Sequence, residues 1–132
     1  MSSLFRTSLC GAVALLLLAG YQQTAHKPAP PLQAQLDHIA LMLAGGHFLR
    51  VACGRSEVPD DVKLQRTAMR TAQHRGWDTH AAGYRQLPAL TQARYLALQQ
   101  DNQLLTDKCA TLSRSTARFI AAAQADQEDY ME

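Results

Sequence analysis

The chain has 132 residues, 13 Lys and Arg against 11 Asp and Glu, and a formal net charge of +2. That near balance gives no general drive toward nucleic acid or an anionic membrane surface, and the length has room for one domain and not two. Aromatic residues make up only 6% of the chain. Alanine and leucine are plentiful and no β-branched run reaches strand length, so the composition suits packed helices better than a sheet.

Residues 1–20 carry the parts of a bacterial export signal. Arg6 supplies positive charge, the stretch Leu9 to Ala19 is apolar around Leu15-Leu16-Leu17-Leu18, and the small residues Ala19-Gly20 follow. The apolar stretch is shorter than the ~20 residues a membrane span needs. Leu18-Ala19-Gly20 is also the lead-in to a bacterial lipoprotein cleavage site, where the next residue is a cysteine that receives the lipid. Here that residue is Tyr21, which has no thiol to acylate. Residues 21–35 are polar and rich in proline (Pro28, Pro30, Pro31), a composition that disfavours helix and reads as an extended tether between an anchor and a domain.

Four helical segments follow within a domain at 36–124. The first spans about 33–52. Leu36, Ile39, Ala40, Leu43, His47 and Val51 form a stripe at three- and four-residue spacing, with Leu41, Met42 and Phe48 off it. Gly45-Gly46 interrupts this helix at about 1 kcal/mol each relative to alanine, so the pair marks either a close helix crossing or a kink. The second helix opens after Pro59 with Asp60 as its N-cap and Asp61 in its first turn. It stops at Gly76, where Trp77 is placed to fold back on the last turn. The third covers about 88–100, with Pro88 at a first helical position. The fourth is expected to begin near Asp101 and run to Gln124 on the stripe Leu105, Cys109, Leu112, Thr116, Phe119, Ile120 and Ala123. The acidic tail 125–132 reads as frayed. The expected fold is all-α: a small four-helix bundle.

Of the three cysteines, Cys10 lies in the leader, so Cys53 and Cys109 are the two thiols of the exported domain. In an oxidising compartment two such thiols read as one disulfide joining distant helices. Chain-entropy arithmetic for that loop gives about 4 kcal/mol. The five histidines do not combine into a site: His38 and His47 point to different faces and His74 and His80 straddle the Gly76 stop. No HExxH, CxxC, GxSxG or phosphate-cradling glycine loop is present. No catalytic, cofactor or metal residue is therefore assigned, and neither an enzyme nor a small-molecule substrate is expected.

One ordered set of residues is specific. After the apolar first helix come Cys53-Gly54-Arg55-Ser56-Glu57-Val58-Pro59-Asp60-Asp61, an alanine-rich helix, Arg75-Gly76-Trp77-Asp78, Leu87-Pro88-Ala89-Leu90, Arg94-Tyr95 with Leu98, and Lys108-Cys109. Over residues 36–112 this resembles the PulS/OutS family of type II secretion pilotins. The resemblance implies a helical bundle with a disulfide between its first and fourth helices. It also implies an outer-membrane lipoprotein that escorts the secretin, the multimeric channel of type II secretion. The partner it implies is the secretin's C-terminal segment, which folds into a helix in the pilotin's groove, protected and targeted by it. Tyr21 departs from the family's acylated cysteine, so outer-membrane placement depends on an anchor this chain does not carry there. Without one it stays in the periplasm or at the inner membrane. The competing reading is a structural or stress-related periplasmic lipoprotein acting through homodimerisation. For the partner site, Leu41 and Phe48 lie seven residues apart on one face of the first helix with Gly45 between them, and this face is expected to receive the partner helix, with Phe48 as its anchor.

Overall fold

The computed structural model describes residues 28–131, with side chains described for 28–126. The stretch read as an export signal, Tyr21 and the first part of the stretch read as tether, through residue 27, lie outside the described residues. Five α-helices and one short 3-10 helix follow in order: α1 (Leu32–Val51), α2 (Asp61–His74), the 3-10 helix (Ala82–Gln86), α3 (Leu87–Gln100), α4 (Leu105–Ser115) and α5 (Ala117–Met131). Helix α1 starts at Leu32, inside the stretch read as tether, so the extended segment ends at Pro31.

α1 is the axis of the molecule. Leu36, Ile39, Ala40, Leu43, Ala44, Phe48 and Leu49 are all buried, because α2, α3, α4 and the 3-10 helix each pack on it. Its glycine pair resolves as a close crossing, and the helix runs through it unbroken. A Cβ at Gly46 would sit 2.8 Å from Leu64 Cδ1 on α2, and one at Gly45 would sit 3.2 Å from Thr116 Cγ2. The missing side chains let two neighbours approach at the same level. Val51, expected in the buried stripe, is 58% exposed at the last turn.

α2 is punctuated as its sequence dictates. The Asp60 carboxylate accepts from Lys63 N at 3.0 Å. At the other end Gly76 takes φ +80°, Gly76 N donates to Gln73 O, and Trp77 N donates to Ala72 O. This Schellman closure turns Trp77 back onto the core.

α3 is fastened at its two ends. Ahead of it, the Tyr84 hydroxyl donates to Gln35 Oε1 at 2.6 Å; burial, with Asp78 adding to it, holds that phenol above its ordinary pKa and keeps it a donor. Behind it, the buried Lys108 ammonium donates to Leu98 O and Asp101 O, both at 2.9 Å, which satisfies carbonyls at a helix end that otherwise have no partner.

The expected fourth helix is two helices. The chain leaves helical geometry at Thr116 (φ −106°, ψ 5°). There the buried hydroxyl donates back to Leu112 O at 2.6 Å, a local bond that competes with the helical ladder and bends it. Asp101 is the C-cap of α3, not an N-cap, and its carboxylate accepts from Gln103 N in a turn that delays α4 to Leu105. The acidic segment is not frayed at its root. α5 continues to Met131, and Asp126 accepts from Thr67 Oγ1 at 2.7 Å and pairs with Arg70. The Cys53–Cys109 disulfide joins the end of α1 to α4 with Cα atoms 5.9 Å apart. Beside it Arg55 bonds both Glu57 and Ser113 Oγ, tying the Cys-x-Arg loop to α4.

Candidate partner-binding trough

α2 and α3 both pack on α1, yet they make no extensive contact with each other. The space between them is a trough. Leu43, Ala44 and His47 of α1 form its floor, Asp61, Leu64 and Gln65 of α2 one wall, and Leu87, Pro88, Thr91, Gln92 and Tyr95 of α3 the other. The enclosed part measures about 190 Å³. It opens past Gln65, Leu87 and Pro88 into a wider hollow of about 500 Å³ edged by Met69, Thr79, His80 and Tyr84. From Asp61 to Met69 is eight helical residues, or ~12 Å, a little over two turns of an incoming helix.

The lining joins apolar surface to polar groups. Leu43, Leu64, Leu87 and the Tyr95 ring supply apolar surface. One mouth is polar: His47 Nδ1 lies 3.0 Å from the Asp61 carboxylate and Arg50 Nη2 donates to it at 3.1 Å. The Tyr95 ring stands edge-on to His47 with centroids 4.7 Å apart. In the wall, the Thr91 hydroxyl is buried with no hydrogen-bond partner, although such groups normally find one. The unpaired hydroxyl and the α2–α3 gap belong to the same cleft.

The residues expected to hold a partner do not line this trough. Phe48 is 2% exposed. Tyr95 covers it edge-on at 6.2 Å between ring centroids, and the Lys108 ammonium lies 5.7 Å from its centroid. Gly45 is filled by Thr116 and Leu112 of the same chain. Leu41 is 42% exposed, away from both walls. Phe48 and Gly45 are covered by side chains of the same chain, whereas Leu41 lies on a side of α1 that stays exposed, and the trough floor falls on the stretch read as core. The overlooked signal lies in α3, whose Leu87, Leu90, Tyr95, Leu96 and Leu98 spread around the helix. Only Leu87 is fully buried, and Leu96 is 43% exposed. A helix apolar on more sides than the bundle covers marks a surface awaiting something else. Among the described residues no group of three or more His, Cys, Asp or Glu is arranged to hold a metal.

Fold and cleft together define a small, disulfide-stapled helical module with a partly apolar trough between two helices that share one floor. The sequence profile of the type II secretion system pilotin lipoproteins (PulS_OutS) matches residues 18–121, and the chain belongs to that family. It is 33% identical over 106 residues to the pilotin OutS of Dickeya dadantii (strain 3937), covering 79% of this chain and 78% of that one. It is 36% identical over 111 residues to the pullulanase secretion protein PulS of Klebsiella pneumoniae, covering 82% and 87%. Among solved structures, a complex of a pilotin with a secretin peptide superposes with a TM-score of 0.68 at 33% identity, covering 72% of this chain and 98% of the other.

Proposed function

We propose that this chain binds the C-terminal segment of a type II secretion secretin as an amphipathic helix laid in the α2–α3 trough, and that it protects and escorts the secretin through this grip. The observation that carries the reading is the trough itself: two helices held apart on one floor, apolar within, with the unpaired Thr91 hydroxyl in its wall. Burial of the leucines and Tyr95 under the partner supplies the affinity, and Thr91 gives one polar side chain of that helix a hydrogen bond.

Titration with a secretin C-terminal peptide tests it. Thr91→Trp fills the cleft from a wall and should weaken binding about thirtyfold, as loss of a central anchor does, with little change in melting temperature. Unchanged affinity with the cleft filled would place the partner elsewhere, and Leu41→Ser in the same titration would show whether the exposed side of α1 takes it.

Delivery is the second half of the role. The outer membrane is reached through a lipid on the residue at position 21, and Tyr21 cannot accept one. The chain as written should incorporate no labelled palmitate, whereas Tyr21→Cys should incorporate it and move to the outer-membrane fraction. Label on the unaltered chain would refute this.

A further inference from the structure

A second pocket, of about 290 Å³, lies around α1 from the trough, between α1, the C-terminal half of α2 and α5. Its base is buried Ile39, Ala68 and Ala72, and its sides are the half-buried Met42, Trp77 and Phe119. Arg75, Arg118 and His38 stand at its rim, and among the described residues no carboxylate lines it. The Arg75 guanidinium lies 5.2 Å over the Trp77 ring. Among the described residues neither Arg75 nor Arg118 is paired with an acid, whereas Arg50, Arg55, Arg70 and Arg94 each are. Burial, with Arg75 adding to it, holds His38 below its ordinary pKa, so the two guanidinium groups carry the charge of the rim. The pocket fits a large apolar side chain flanked by carboxylates.

The chain itself contains such a segment. Glu128-Asp129-Tyr130-Met131-Glu132 places an aromatic and a thioether side chain between three acids. It cannot enter the pocket of its own molecule without unwinding, because Asp126 is tied to Thr67 and Arg70 and α5 runs on to Met131. Tyr130 is thereby carried eight residues, ~12 Å of helix, beyond Ala122 at the pocket edge. We propose that the acidic tail of a second copy occupies this pocket, and that two copies exchange tails reciprocally. Tyr130 and Met131 enter between Met42, Trp77 and Phe119, and Glu128 and Asp129 meet Arg75 and Arg118. Such an exchange is self-complementary, uses the same two surfaces on each copy, and makes the second contact effectively intramolecular once the first has formed. It leaves the trough free.

The test is sedimentation of the protein over a wide concentration range, with emission from Trp77, the chain's single tryptophan, as a reporter inside the pocket. The expected result is a doubling of mass with concentration, accompanied by an emission shift. Both should be lost in Tyr130→Ser/Met131→Ser. The mass increase should also be lost in Arg75→Glu/Arg118→Glu and return when Glu128→Arg/Asp129→Arg is added to that variant. A protein monomeric at every concentration overturns the proposal, including the case in which tail substitutions still shift Trp77 emission, since the tail then occupies its own pocket. A dimer that survives both the tail and the arginine substitutions overturns it as well, because the copies then meet elsewhere.

Discussion

The two flanks of α1 are built from similar helices and reach opposite outcomes. On one, the closed flank, α5 bridges to α2, with the second pocket left between them and α1: Leu64 fills the space left by Gly46, Ile120 and Ala123 are buried, and Asp126 ties the far end of α5 to Thr67 and Arg70. On the other, the open flank, α2 and α3 share the α1 floor with no helix bridging them. There α3 packs along α1, is pinned at its start by Tyr84 on Gln35 and at its end by Lys108 under Leu98 and Asp101, and makes no extensive contact with α2. The closed flank ties three helices together, and the open one leaves its two walls joined only through the α1 floor.

The largest perturbation removes what both flanks share. Cys53→Ser should cost about 2–5 kcal/mol, as loss of a native disulfide does in small exported domains, read as a lowered denaturation midpoint. In the unaltered protein, unfolded without reductant, a thiol reagent should label neither Cys53 nor Cys109. Next, Gly46→Val forces a side chain into the Leu64 contact of the closed flank and should cost about 1–3 kcal/mol, seen in the same denaturation curve. If that substitution were neutral, the closed flank would be no tighter than the open one. The smallest effect has the opposite sign. Thr91→Val removes the buried, unpartnered hydroxyl of the open flank at nearly equal helix propensity and should stabilise the free protein by about 1 kcal/mol. It should also weaken the secretin peptide, since the hydroxyl is then missing from the complex. A stability loss would mean that the hydroxyl is already satisfied without a partner.

Where the signals were local, the sequence was legible. Asp60 and the Gly76-Trp77 pair bound α2 because caps act within one turn, and the two domain thiols pair as their number requires. The break at Thr116 was hidden because a stripe continues through it: Leu112, Thr116 and Ile120 are all buried, and the departure lies in the Thr116 backbone angles, which no side-chain pattern reports. Asp126 was unreadable as an anchor because Thr67 and Arg70 lie 59 and 56 residues away. The trough was least accessible, since it exists through a distance between helices rather than through any residue's character. Phe48 looked like an anchor by its spacing from Leu41, but Tyr95 and Lys108 arrive from segments whose placement no periodicity within α1 can report.

The Cys53–Cys109 bond closes a covalent ring, and the ring contains both walls of the trough: α2, the 3-10 helix and α3 all lie between its two cysteines, while the α1 floor lies outside. A protease that cuts once in the exposed turn near His80 therefore cuts a circle and not a chain. The product remains one molecule, with the α2 wall joined to the end of α1 by its own backbone and the α3 wall joined to it through Cys109 and the sulfur bridge. Both walls of the trough thus stay in one molecule after a single break in the segment that links them, and separation of the pieces requires reductant as well as cleavage.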